Sequence, residues 1–351
     1  MRPAVADAVF LHYASSIVFK VSGTRNGSNA ASPQAPRHAM IGPVCPTIEE
    51  TPMDDAMERE RVAEELNAIG FDGIEFIEFA TSKPQALGGV LETMGFRPVA
   101  RHRSREVELY RQGSMNIVVN AQPADVPRTV QPVERPVISA FAVRVRDADF
   151  AFKRALELGA WEIPVRAGSM ELNIPAIHGV GESLIYFVDR YDEFSIYDVD
   201  FRAIPAVEAR PEAIAGMHFF GIVQYIGADR TADWVEFYAQ IFGFRQLPNS
   251  VRFGILPTGV LLQSPCSKFF LQLIEPIDTA RYAPREEHLQ RIGLGTPDVR
   301  ATVASLEKRG VEFLASENVH TSERGALTKA YLGSVMFELV HDEPDPQAPK
   351  R

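Results

Sequence analysis

The sequence is poor in cysteine, in membrane-length apolar runs and in net positive charge. Its two cysteines, Cys45 and Cys266, are too few for a disulfide framework and point to a reducing cytoplasm. No apolar run reaches the roughly 18–20 residues that a membrane span requires. The formal net charge of −10 argues against broad nucleic-acid or anionic-membrane binding, leaving only a local basic patch open. Familiar catalytic signatures are missing too. GVGES (Gly179–Ser183) lacks the strand-to-helix setting of a nucleophile elbow, and GLGTPD (Gly293–Asp298) lacks the glycine spacing of a dinucleotide loop. Cys266 in SPCSK reads as an inert strand cysteine.

What the chain does have is repetition. In 216–247, Phe219 to Ile226 reads as a strand, and Asp229 or Thr231 can cap the helix that follows. Trp234, Val235, Tyr238, Ile241 and Phe242 recur at helical steps, and Gly243 ends them. The same order of helix, glycine stop and apolar strand entry recurs in ALGGVLETMGFRPV, AFKRALELGAWEI and TVASLEKRGVEFL, with Gly95, Gly159 and Gly310 as the stops. A strand-like segment precedes each helix, which predicts four similar modules. With 351 residues, 46% hydrophobic and 23% charged, the chain has the composition of an ordinary globular protein with room for two cores.

In chain order, 1–52 combines the apolar patch AVFLHYASSIVF with a Ser/Asn/Pro-rich stretch. It reads as a disordered segment or an upstream-annotated start, without the basic start and cleavage site of a signal peptide. From Met53 a charged helical stretch leads into the first module. Residues 53–201 are expected to form an N-terminal scaffold domain of two modules, the first ending in strands VELYRQG and MNIVVNA around a Gly113 turn. The text 170–201 predicts two or three antiparallel strands. A linker is expected at 202–215, a C-terminal domain at 216–342 and a tail at 343–351.

Several stretches carry a resemblance: GFDGIEFIEFA, LETMGFRPVARHRSREVELYRQG, MELNIPAIHGVG and IYFVDRY…SIYDVDF, and more loosely WVEFYAQIFGFR, IGLGTPDV and VMFELV. Together they resemble the 4-hydroxyphenylpyruvate dioxygenase family of the vicinal oxygen chelate superfamily. The resemblance implies an α+β fold in which four βαβββ modules form two vicinal-oxygen-chelate-type domains with cupped mixed sheets. It also implies a cytoplasmic, non-haem Fe(II) dioxygenase of aromatic amino acid (tyrosine) catabolism. Such an enzyme decarboxylates and hydroxylates a small aromatic 2-oxo acid with O2; a homo-oligomer is expected, with no nucleic-acid or membrane partner.

In the family the C-terminal cup holds iron through two histidines and a glutamate, a donor set that leaves positions open for substrate and oxygen. Glu338 stands at the glutamate position, but gap-free matching puts Gly221 and Arg291 where the histidines are expected. His218 and His288 each lie three residues upstream. They are candidate metal ligands with Glu338, or else strand-entry histidines whose rings are solvated or backbone-bonded, because an odd shift turns a side chain to the other face. Gln272 is the candidate polar substrate contact, and Arg291 the candidate carboxylate partner if no metal is used. No counterpart of the family's covering helix follows Glu338. Two readings stay open: an iron dioxygenase, or the same scaffold with a lost or altered metal site acting as a lyase or as a binding protein for a small aromatic acid.

Overall fold

The computed structural model describes residues 66–121, 135–164, 171–192, 194–251, 253–255, 259–275, 287–315 and 320–343. The expected N-terminal segment, the helical text 53–65 and the tail beyond residue 343 lie outside the described residues. The described residues all fall within one compact unit.

The first module runs β1 (Ile74–Ala80), α1 (Pro84–Thr93), β2 (Arg97–His102), β3 (Val107–Gln112) and β4 (Met115–Asn120). The second has β5 (Val137–Arg144), α2 (Ala148–Glu157), β6 (Ala176–His178) and β7 (Leu184–Val188), followed by α3 (Ile196–Asp200) and β8 (Phe201–Ala203). The third has β9 (His218–Tyr225), α4 (Thr231–Phe242), β10 (Arg245–Gln246), β11 (Val260–Gln263) and β12 (Phe270–Ile274). The fourth has β13 (His288–Thr296), α5 (Val299–Glu307), β14 (Gly325–Leu327) and β15 (Phe337–His341). In every module the helix crosses over so that the last strand lies parallel to the first: β4 on β1, β7 on β5, β12 on β9 and β15 on β13. The protein is α+β.

First strands meet antiparallel, β1 with β5 and β9 with β13, and the bridge Leu289↔Ile138 joins the two halves into a 15-stranded sheet. Each stop glycine adopts the left-handed backbone that ends a helix cheaply, with φ of 101° at Gly95, 91° at Gly159, 72° at Gly243 and 95° at Gly310. Helix-side residues of both halves merge into one core, in which Phe187 stacks on Phe242 at 5.8 Å and Phe71 meets Phe244 edge-on at 5.3 Å. No helix among the described residues is long and apolar enough to cross a membrane.

Within 170–201, where two or three strands are expected, β6 and β7 pair antiparallel and β8 opens at Phe201. SIYDVD between β7 and β8 forms α3, because the Ser195 and Asp198 side chains make a capping box. One local expectation differs from the structure. Neither Asp229 nor Thr231 caps α4. Its N-cap, Arg230, gives no side-chain cap, and Glu275 beyond β12 accepts from the Thr231 backbone N–H at 2.8 Å instead.

Candidate functional site

The face of each half-sheet turned away from the helices is where ligand chemistry is expected. In the C-terminal half, alternation along β15 puts Phe337 and Leu339 into the helix-side core and turns Glu338 to the inner face, beside Phe220, Phe253 and Phe270. Arg291 on β13 points the same way. Its Nε donates to Glu338 Oε2 at 2.8 Å, and the two side chains are only 3% and 5% exposed. The second carboxylate oxygen accepts from the Ile255 backbone N–H at 3.3 Å. Arg291 Nη2 is buried without a hydrogen-bond partner among the described residues. Taking both charges out of water is costly, so the pair persists through close geometry and added hydrogen bonds.

The three expected metal ligands do not come together. His218 opens β9 and His288 opens β13, but the strands run antiparallel. His218 pairs with Gly295 and His288 with Tyr225, at opposite ends of the ladder. Roughly 20 Å of strand separates them. Equal offsets from the family positions are equivalent by symmetry, yet antiparallel pairing sends equivalent positions apart. Each ring has its own partners: His218 Nε2 lies 2.9 Å from Asp342 Oδ2, and His288 Nε2 lies 2.6 Å from Gln290 Oε1 with its ring against Tyr225. Among the described residues no three His, Cys, Asp or Glu side chains cluster as a metal site would require.

The family positions themselves resist ligation. A Cβ at Gly221 would collide with the Phe270 carbonyl oxygen, so a histidine there needs the backbone to move. At the other position a guanidinium already occupies Glu338 and would repel a dication. The donor set therefore does not fit a two-histidine, one-carboxylate iron. Gln272 does line this face, but the space beside it and Glu338 is only about 30 Å³, because Phe220, Phe253 and Phe270 pack with centroids 4.7–4.9 Å apart. That is room for about one water molecule.

The N-terminal half, expected to be scaffold, holds the larger cavity, of about 870 Å³. Glu75 on β1, 2% exposed, accepts from Arg144 Nε at 2.6 Å and from Asn116 Nδ2 at 3.2 Å. Asn116 in turn accepts from Arg111 Nε at 2.7 Å. Arg111 lies over the Tyr197 ring and Arg144 over the Tyr191 ring, each at 5.3 Å. Burial pushes the Glu75 carboxyl up against the opposing pull of Arg144. Burial, with the nearby Glu75 charge, drives the Tyr197 hydroxyl well above its ordinary value, so it stays protonated. The signal available in the sequence was two glutamates, Glu75 and Glu78, inside an otherwise apolar strand, IEFIEFA. The sequence shows no tertiary partner for either of them.

Comparison with known proteins agrees with this architecture. Residues 66–202 match the family model described as Hydroxyphenylpyruvate dioxygenase, HPPD, N-terminal, and residues 218–331 match Glyoxalase/Bleomycin resistance protein/Dioxygenase superfamily. The chain is 36% identical over 269 residues to Hemolysin VllY of Vibrio vulnificus (strain CMCP6), covering 73% of this chain and 75% of that protein. It is 34% identical over 271 residues to a 4-hydroxyphenylpyruvate dioxygenase of Pseudomonas aeruginosa, again covering 73% and 75%. A solved xylose isomerase-like TIM barrel/4-hydroxyphenylpyruvate dioxygenase fusion protein superposes with a TM-score of 0.59 at 24% identity. That match covers 79% of this chain but only 49% of the fusion, and it speaks for the fold alone.

Proposed function

Because the chain belongs to the 4-hydroxyphenylpyruvate dioxygenase family of vicinal oxygen chelate proteins, we propose that it is a member that binds a small aromatic 2-oxo acid, or a close relative, without the family's iron. The observation that carries this is the buried Arg291–Glu338 pair. It sets a fixed cation against the carboxylate that a metal would need, and His218 and His288 lie too far apart to complete a donor set. The ligand class comes from the relatives named 4-hydroxyphenylpyruvate dioxygenase. Its acid group is recognised by protein cations, which suit a carboxylate through charge-assisted hydrogen bonds.

The second reading, an Fe(II) dioxygenase that decarboxylates and hydroxylates such an acid with O2, draws on the same relatives and on Glu338 facing the inner side of its sheet. In that case Glu338 would have to exchange Arg291 for iron, and two further ligands would have to be drawn from residues now apart. Iron, if held, would supply a chelating centre for the 2-oxo acid and for oxygen.

Two measurements on the full chain separate the readings. After anaerobic Fe(II) loading and desalting, the expected result is far less than one iron per chain, with no oxygen uptake when 4-hydroxyphenylpyruvate is added. One retained iron per chain that disappears in Glu338→Gln, together with acid-dependent oxygen uptake, overturns the metal-free proposal.

A further inference from the structure

We propose that the polar cavity of the N-terminal half is a binding site for a small organic acid carrying a single negative charge, held by Arg111, Arg144 and Tyr197. Space is the first argument. The cavity of about 870 Å³ falls within the range that takes small molecules, whereas the C-terminal inner face offers about 30 Å³.

Unused donors are the second. Arg144 donates through Nε to Glu75, and its terminal nitrogens make no hydrogen bond to any described residue. Arg111 spends Nε on Asn116 and Nη1 on the Ala209 carbonyl, which leaves Nη2 in the same position. The Tyr197 hydroxyl is buried beside the Glu75 carboxylate and feels its charge, but it makes no hydrogen bond of normal geometry to any described residue; Tyr197 is only 8% exposed and lines the cavity. A buried hydroxyl left unpaired is unfavourable, and a ligand acceptor entering the cavity would satisfy it.

Charge gives the ligand class. Two guanidiniums face one carboxylate, Glu75, on the cavity floor, an excess of one positive charge. Burial pulls the Arg111 guanidinium down, whereas at Arg144 burial is outweighed by the paired Glu75, which holds that guanidinium up; Glu75 thus compensates Arg144 more fully than Arg111. The rim residues Asp192, Asp198 and Arg210 are exposed, and Asp198 is engaged by Ser195, so water screens their effect on the floor. One carboxylate neutralises the floor. A dianion such as phosphate would bring its second charge against buried Glu75. The inference takes the aromatic part of its ligand from the reading above, but the site itself does not depend on whether the other half holds iron.

The test is calorimetry of the full chain with chelator present. The probes are 4-hydroxyphenylpyruvate and phenylacetate, with neutral phenylacetamide and inorganic phosphate as controls. Both acids should bind at least about tenfold more tightly than either control. Tyr197→Phe should weaken the acids about tenfold while leaving the ligand-free unfolding midpoint unchanged or raised, since it removes an unsatisfied hydroxyl. A merely structural tyrosine would not split affinity from stability in this way. Arg111→Gln should weaken them by on the order of a hundredfold. Failure of the wild type to bind either acid overturns the site, as does phosphate or amide binding as tightly, or undiminished affinity in Tyr197→Phe. Acid binding that survives these variants but vanishes in Arg291→Gln moves the ligand to the other half; it overturns this assignment and leaves the metal-free reading standing. Iron retention alone does the reverse.

Discussion

Arg291 is a permanent cation buried against a single carboxylate, and the free energy of the C-terminal inner face turns on that pairing. Removing one member strands the other in a dry environment. Arg291→Ala should therefore cost about 3–5 kcal/mol of unfolding free energy, read from urea denaturation at neutral pH. Arg291→Met combined with Glu338→Leu replaces the pair by apolar volume and should recover most of that loss. A large loss in the double variant would mean that the pair does more than neutralise itself. Gly221 presents the opposite constraint, because the neighbouring carbonyl of Phe270 leaves no space for a Cβ. Gly221→His should destabilise by about 1–3 kcal/mol through overpacking, and adding Arg291→His should not produce one tightly held iron per chain. Thermal melts and metal analysis of the two variants check this. The sequence already showed that both family histidines were replaced. It could not show that Arg291 would reach Glu338, because that meeting depends on β13 and β15 lying side by side with Gly293 opposite Glu338.

At the scale of elements, helix ends were the readable part. Gly95, Gly159, Gly243 and Gly310 each close a helix in the left-handed conformation, as an apolar period followed by glycine requires. Helix starts were less readable, because a cap can come from a distant strand. Glu275, at the end of β12, accepts from the backbone N–H and hydroxyl of Thr231 at the start of α4. The Thr231 hydroxyl holds the Glu275 carboxyl below its ordinary range, with burial opposing. Its folded-state value is lowered, so the stability it adds is present above the unfolded carboxylate's value and is lost as pH falls through the lowered one. Glu275→Ala should cost about 1 kcal/mol at neutral pH, the usual worth of an N-cap. The gap between variant and wild type should close in acid, measured by denaturant titration at a series of pH values. A gap independent of pH would mean that the carboxylate charge contributes nothing. SIYDVD shows the same limit: apolar Ile196, Tyr197 and Val199 suit either period, and the Ser195–Asp198 capping box tips the segment into α3.

Across the whole molecule, the four-module pattern was legible because each module repeats the same local code. How the halves meet was not. Periodicity tells which face of an element is apolar but not which distant element covers it. Here Phe187 of β7 stacks on Phe242 of α4, Phe71 meets Phe244, and Arg309 after α5 donates to the Thr93 and Glu92 carbonyls at the end of α1. The sheet itself continues through Leu289↔Ile138. A core shared in this way couples the halves, because opening one exposes apolar surface of the other. The two tryptophans provide a reporter in each half, Trp161 after α2 and Trp234 in α4. Trp161→Phe leaves a chain that reports on the C-terminal half, and Trp234→Phe one that reports on the N-terminal half. Their fluorescence transitions in denaturant should coincide with each other and with the loss of far-ultraviolet circular dichroism, as a single cooperative unit requires. Phe242→Ala, made in either background, removes a ring packed against both halves and should cost about 3–5 kcal/mol. Both reporters should move to lower denaturant together. A shift confined to Trp234, with the Trp161 transition left in place, would show that the two halves fold independently despite the shared aromatic layer.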